Sequence, residues 1–343
     1  MLSPHWLKQQ IAQRNQRIAY QSRLHAAVEE VVDSVDPRLR SLPGYRRKLA
    51  PAIHTAAEYS QELIDQLPEP ILATPRTWAM SPYLRAFFAS VESMRALFDN
   101  CRMLANFLGS PAALGTTTLY AGVGMRLDER VAMGHALHGD RVQSDVMQTT
   151  VSFGDHRIGV VAANKEAFAL QVQRRVLEEL AARALQKVMD LRSRKDAMEE
   201  EQVKQRWKLK IYTLRANGMG TFQHDSEQYE RHIRDMQERL QVTETVLGDL
   251  LATAGTIDDF LDVTVEVFSR PRDHIGCDSI TLYLDKMNVK CDRLAAGASK
   301  LELTGMRLGH SLSRIVQPVC FAPDFVRKDS MSGLRMAERI LGL

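Results

Sequence analysis

VVAANKEAFALQVQRRVLEELAARALQKVMDLRSRKDAMEEEQVKQRWKLKIYTLRAN, residues 160–217, contains neither glycine nor proline and ends at Asn217-Gly218-Met219-Gly220. Asn164 stands where an N-cap is needed, and Asn217-Gly218 supplies a left-handed exit. About 50 helical residues span roughly 75 Å at 1.5 Å per residue. A second helical segment lies beyond the glycines, near 225–252. Its apolar line is Tyr229, Ile233, Met236, Leu240, Thr243, Leu247 and Leu250, at alternating steps of four and three. That spacing is the coiled-coil period, and the intervening positions are mostly charged. Two long helices joined by a glycine turn predict an antiparallel helical hairpin.

The first helix carries a related pattern. Leu177, Ala184, Leu191 and Met198 recur every seven residues, with Leu180, Ala181 and Val188 on the companion line. The apolar line then changes phase and resumes as Val203, Trp207, Ile211 and Leu214, which reads as a stutter in the seam. Charge favours pairing of the two helices. Residues 165–216 hold thirteen Lys/Arg against eight Asp/Glu, and residues 223–252 hold three against seven. Ordinary solvated faces account for such blocks equally well.

Around this hairpin the chain predicts a mainly α fold with a minor β component. Residues 5–35 and 45–67 read as helices, residues 68–76 as a proline-rich loop. Ser81-Pro82 opens a third, strongly apolar helix that Gly109 closes. Residues 111–163 look irregular, with a short β-hairpin of 146–153 and 157–161 turning at Gly154-Asp155-His156. Ile257 to Ser269 is a short helix. Ile280–Leu284, Leu301–Leu303 and Ile315–Phe321 alternate as strands of a small C-terminal antiparallel meander, and Met331–Leu341 reads as a terminal helix. The expected domains are a helical domain over 1–110, the irregular segment over 111–163, the coiled-coil hairpin over 164–254 and a small α+β cap over 255–343.

Composition narrows the function classes. The chain has 343 residues, a net charge of +3 and 45% hydrophobic residues, as globular proteins do. This balance argues against a dedicated nucleic-acid binder. No apolar run reaches the roughly 20 residues a membrane helix needs, and the first residues lack the apolar core of a signal peptide. The four cysteines, Cys101, Cys277, Cys291 and Cys320, show no CxxC spacing, and reduced thiols in the cytoplasm are expected.

Catalytic signatures are missing: there is no P-loop, GxSxG, HExxH or GxGxxG pattern. No cofactor is predicted. A divalent metal has one candidate site, at His135 and His138 in HxxH spacing with Asp155 and His156 nearby. It requires 128–138 to be helical, so that both histidines share a face. Two histidines beside Gly134 and Gly139 are more often exposed or capping groups at a turn, and the pattern matches no closed ligand set. Basic contact candidates are Lys204, Arg206, Lys208 and Lys210 around Trp207, and Arg46, Arg47 and Lys48. An anionic surface or a nucleic acid is the ligand they would meet. Trp207 and Ile211 are otherwise expected in the packing seam. The sequence thus predicts a non-enzymatic cytoplasmic scaffold that assembles through its coiled coil, with a dimer favoured and the protein partner unspecified.

Overall fold

In the computed structural model, Asn164 Oδ1 accepts the backbone N–H of Ala167 at 2.7 Å and opens the long helix. The structure describes residues 21–138, 141–217, 226–254, 256–292, 297–309 and 312–326. The glycine turn at 218–220, the start of the first helix and the expected helix over 331–341 lie outside these residues. The helices are α1 (21–35), α2 (Tyr45–Asp65), α3 (Pro75–Met80), α4 (Pro82–Phe87), α5 (Val91–Asp99), α6 (Arg102–Leu108), α7 (Lys165–Asn217), α8 (Ser226–Ala254), α9 (Ile257–Ser269) and α10 (Pro271–His274). The strands are β1 (Ile71–Leu72), β2 (Leu119–His138), β3 (Arg141–Ala162), β4 (Ile275–Leu284), β5 (Ser299–Leu308) and β6 (Leu312–Phe321). The chain is mainly α with a minor β component, and β4–β5–β6 form the C-terminal antiparallel meander.

Two compact units interleave along the chain: Met1–Ala56 with Leu177–Pro271, and Ala57–Val176 with Arg272–Leu343. The first unit is helical. Val28, Val31, Val32 and Val35 of α1 are buried, as are Leu180, Ala181, Ala184 and Val188 of α7 and Phe260, Leu261, Val267 and Phe268 of α9. Asp36, itself buried, caps a 3-10 turn at Pro37–Ser41 and accepts from Arg192 Nη2 of α7 at 2.6 Å. The Arg192 guanidinium also lies over the Phe260 ring, 4.7 Å from its centre.

Beyond this core α7 continues against α8 as a two-helix arm. Arg206 pairs with Glu244 at 2.7 Å, and Tyr212 stacks on His232 with ring centres 6.1 Å apart. As the first residue number rises the second falls, so the pair is antiparallel. On α8 the positions that lose exposure are Ile233, Met236, Leu240, Thr243, Leu247 and Leu250. On α7 they are Leu191, Lys195, Met198, Gln202, Gln205, Leu209 and Tyr212, also at steps of four and three. The heptad therefore runs unbroken, without the expected stutter, and two glutamines stand in it.

The second unit is built on a sheet of order β3-β2-β6-β5-β4, with β1 parallel to β6 at Ile71↔Val319. Its edge strands meet through residues 288–291. Val151 N–H donates to Asn288 O and Lys290 N–H to Thr149 O, both at 2.8 Å, while Cys291 N–H donates to Tyr283 O at 2.9 Å. The sheet thereby curls into a partly closed barrel. Leu119, Val123, Met125, Leu282, Leu301, Ile315 and Phe321 pack in one core with Leu84, Phe87, Met94, Phe98 and Leu104 of α4, α5 and α6.

Three expectations are corrected by this architecture. The single helix over 82–108 is three helices. Ser90 and Ser93 form a reciprocal capping box that starts α5, and Cys101 restarts the chain as α6. The segment over 111–163 is a hairpin of 20- and 22-residue strands rather than an irregular stretch. Gly154-Asp155-His156 is no turn: Asp155 takes φ 48° inside β3, and the strand runs on as a bulge opposite Met125.

Candidate functional site

Two features of the described residues stand apart from the packed core, one in each unit. The first is the outer face of α7 in the arm. Val203, Trp207, Ile211 and Leu214 form a line at helical spacing, with Trp207 61% and Leu214 64% exposed. Trp207 and Ile211 therefore do not belong to the seam against α8, where Gln205 and Leu209 take the covered places. The preference for apolar residues at a coiled-coil seam suggested otherwise, but the unbroken heptad fixes which face is covered. The other proposed seam residues, Ile233, Met236, Leu240, Leu247 and Leu250, occupy the covered face of α8; the side chain of Tyr229 lies outside the described residues. On α8, Val242 is 64% exposed and Val246 is exposed beside it.

The basic candidates are largely committed to intrachain partners. Lys204 pairs with Glu200 at 2.7 Å, Arg206 with Glu244, and Lys210 lies 5.5 Å from the Trp207 ring centre. Arg46 donates to Glu29 at 2.8 Å and Lys48 to Asp262 at 3.2 Å, while Arg47 is exposed. Lys208 is exposed on α7.

The second feature is a groove of about 690 Å³ in the second unit. The outer face of α5 forms one wall through Ser93, Ala96, Leu97 and Asn100, with Cys101 at its end. The α4–α5 connection supplies Phe87, Phe88 and Ala89, and β3 supplies Phe153, His156, Arg157 and Ile158. The bulge positions the polar corner. One extra residue in β3 turns His156 toward the α4–α5 connection, where its ring stacks on Phe88 at 4.8 Å and its Nε2 meets Phe87 O at 2.9 Å. With Nε2 donating to the carbonyl, Nδ1 is left as an acceptor. Burial pushes the His156 pKa below its ordinary value, partly opposed by the Phe87 carbonyl, so the ring is neutral near pH 7. Asp155 accepts from the Arg314 guanidinium and from Arg157 Nε at 3.0 Å, and these bonds, that to Arg314 foremost, hold its carboxyl below the usual carboxylate range.

The helix on which the metal reading depends is absent. Residues 128–138 belong to β2, so the helix that would place His135 and His138 on one face is not formed; their side chains lie outside the described residues. Asp155 and His156 are engaged as above. Among the described residues no group of three His, Cys, Asp or Glu is placed to hold a metal.

The groove was missed in the sequence because its walls come from separate segments. The bulge that shapes it shows only in the structure, where Phe153 and Ile158 pack against the same core although five residues apart, which an unbroken strand forbids.

No family model, curated protein or solved structure matches the chain. Among the described residues no helix is long and apolar enough to cross a membrane.

Proposed function

We propose that the protein is a scaffold whose two-helix arm joins a second copy of the same chain. The observation that carries this is the exposed line Val203, Trp207, Ile211 and Leu214 on the side of α7 away from α8. A helix already paired through one seam needs no second apolar face unless something covers it. Burying side chains of this size contributes about 1.5–3 kcal/mol each.

A second copy fits by position and charge. Arg206 beside Glu244 sets the level of the two helices. Val242 and Val246 flank that level on α8, and Trp207, Ile211 and Leu214 lie on the next turns of α7 toward the arm's tip. A two-fold axis near Arg206 lays the α7 line of one copy over Val242 and Val246 of the other, and the reverse, as an isologous interface requires. Lys208 and Lys210 then approach Asp249 of a net-acidic helix, which favours register and orientation. The role is assembly and partner recruitment rather than catalysis. All four cysteines are free thiols, which fits a reducing compartment, and the proposal places the scaffold in the cytoplasm.

Sedimentation equilibrium tests it. The wild-type chain is expected to be dimeric at micromolar concentration, and Trp207→Asp with Ile211→Asp to be monomeric with unchanged helical circular dichroism, since both side chains are exposed. A wild-type monomer across that range refutes the reading. So does a monomer that binds anionic vesicles through the same face.

A further inference from the structure

We propose that the groove between α5 and β3 binds a small, flat, apolar molecule carrying one anionic group, such as an aryl carboxylate or sulfonate. The volume of about 690 Å³ lies in the range of small-molecule sites. Its surfaces divide by chemistry. Phe87, Phe88 and Phe153 close its floor as nearly buried rings, and Ala89, Ala96, Leu97 and Ile158 give it apolar walls. A flat, rigid apolar body laid between α5 and β3 covers these walls, and its rigidity keeps the entropic cost of ordering it low.

The anionic group is argued from the bulge. Asp155 is one carboxylate shared by the guanidiniums of Arg157 and Arg314, so this corner carries one positive charge in excess. Arg157 lines the groove and is mostly exposed, leaving guanidinium donors for a ligand. The His156 ring stacked on Phe88 continues the aromatic surface toward that cation. Asp155 holds φ 48°, a conformation a non-glycine residue adopts at a cost, and the two arginines fix it there. Bulges that re-aim a side chain beside a cavity recur at binding sites. This site lies wholly in the second unit, so it stands or falls independently of the arm.

The probes are anilinonaphthalene sulfonate, which has a flat apolar body and one sulfonate, and phenylnaphthylamine, the same body without the charge. Fluorescence titration of the full chain is expected to show one saturable sulfonate site per chain. Ala96→Trp, on the exposed wall of α5, fills the groove and weakens both probes at least tenfold (about 1.4 kcal/mol). Arg157→Met weakens the sulfonate about tenfold and the neutral probe less than about twofold. The sulfonate also slows alkylation of Cys101, which lines the groove, and leaves Cys277 alkylation unchanged, as read by peptide mass spectrometry of the wild type. Four outcomes overturn the proposal: no saturable binding, indifference to Ala96→Trp in a folded variant, equal loss of both probes in Arg157→Met, or no protection of Cys101. Loss of binding in Trp207→Asp/Ile211→Asp alone also overturns it, by assigning the probe to the arm.

Discussion

His156 is the residue whose environment makes the sharpest statement about pH. Burial against Phe88 disfavours its charged form, so the folded state holds the imidazole neutral where the unfolded chain protonates it. The folded pKa is depressed, so the unfolded state binds more protons through the window just below the ordinary histidine value. Stability is therefore full above that value and is lost as pH falls through the folded pKa. Melting temperatures between pH 7.5 and 5 are expected to fall for the wild type and to fall less for His156→Gln, with Asp155 and Arg157 still in place beside the groove. Equal slopes for both proteins would show that other groups set the acid limb. Neither the burial nor the ring stacking was legible in the sequence, because Phe87 and Phe88 lie almost seventy residues away.

Among the elements, α7 shows best what the sequence carried and what it hid. The period of 3.5 was legible, as were the N-cap at Asn164 and the covered line on α8. Which face of α7 meets α8 was not. Val203, Trp207, Ile211 and Leu214 are more apolar than Gln202 and Gln205, and hydrophobicity alone selects the wrong line. Keeping the heptad in phase from Leu191 to Tyr212 outweighs the loss of two apolar seam positions, because a change of face would unwind the pair. A cost remains: Gln205 Oε1 is buried without a hydrogen-bond partner. Gln205→Leu removes that acceptor from the seam and is expected to stabilise the protein by about 1 kcal/mol, or about 2 °C in Tm. A lower Tm would show that the Gln205–Glu201 hydrogen bond at 3.0 Å outweighs the buried acceptor. The strands were less legible still. Asp155 at φ 48° reads as a turn residue in sequence, and only the pairing of β3 with β2 on both sides of it shows a bulge.

At the scale of the whole molecule, chain order gives little warning of the sheet. Leu119 of β2 pairs with Phe321 of β6, and Ile71 of β1 with Val319, so the central strand comes from the end of the chain while two of its three partners, β1 and β2, come from the first half. Local patterning cannot register pairings of that separation. The meander of β4, β5 and β6 was readable because its partners are consecutive. The arm was readable for the same reason, and its outer face carries the account's central claim. The direct measurement is photo-crosslinking from a benzoylphenylalanine at position 207, in a mixture of isotopically light and heavy protein. The account predicts light–heavy adducts that map to α8 near Val242 and Val246. Adducts confined to one chain, or none at micromolar concentration, would contradict it.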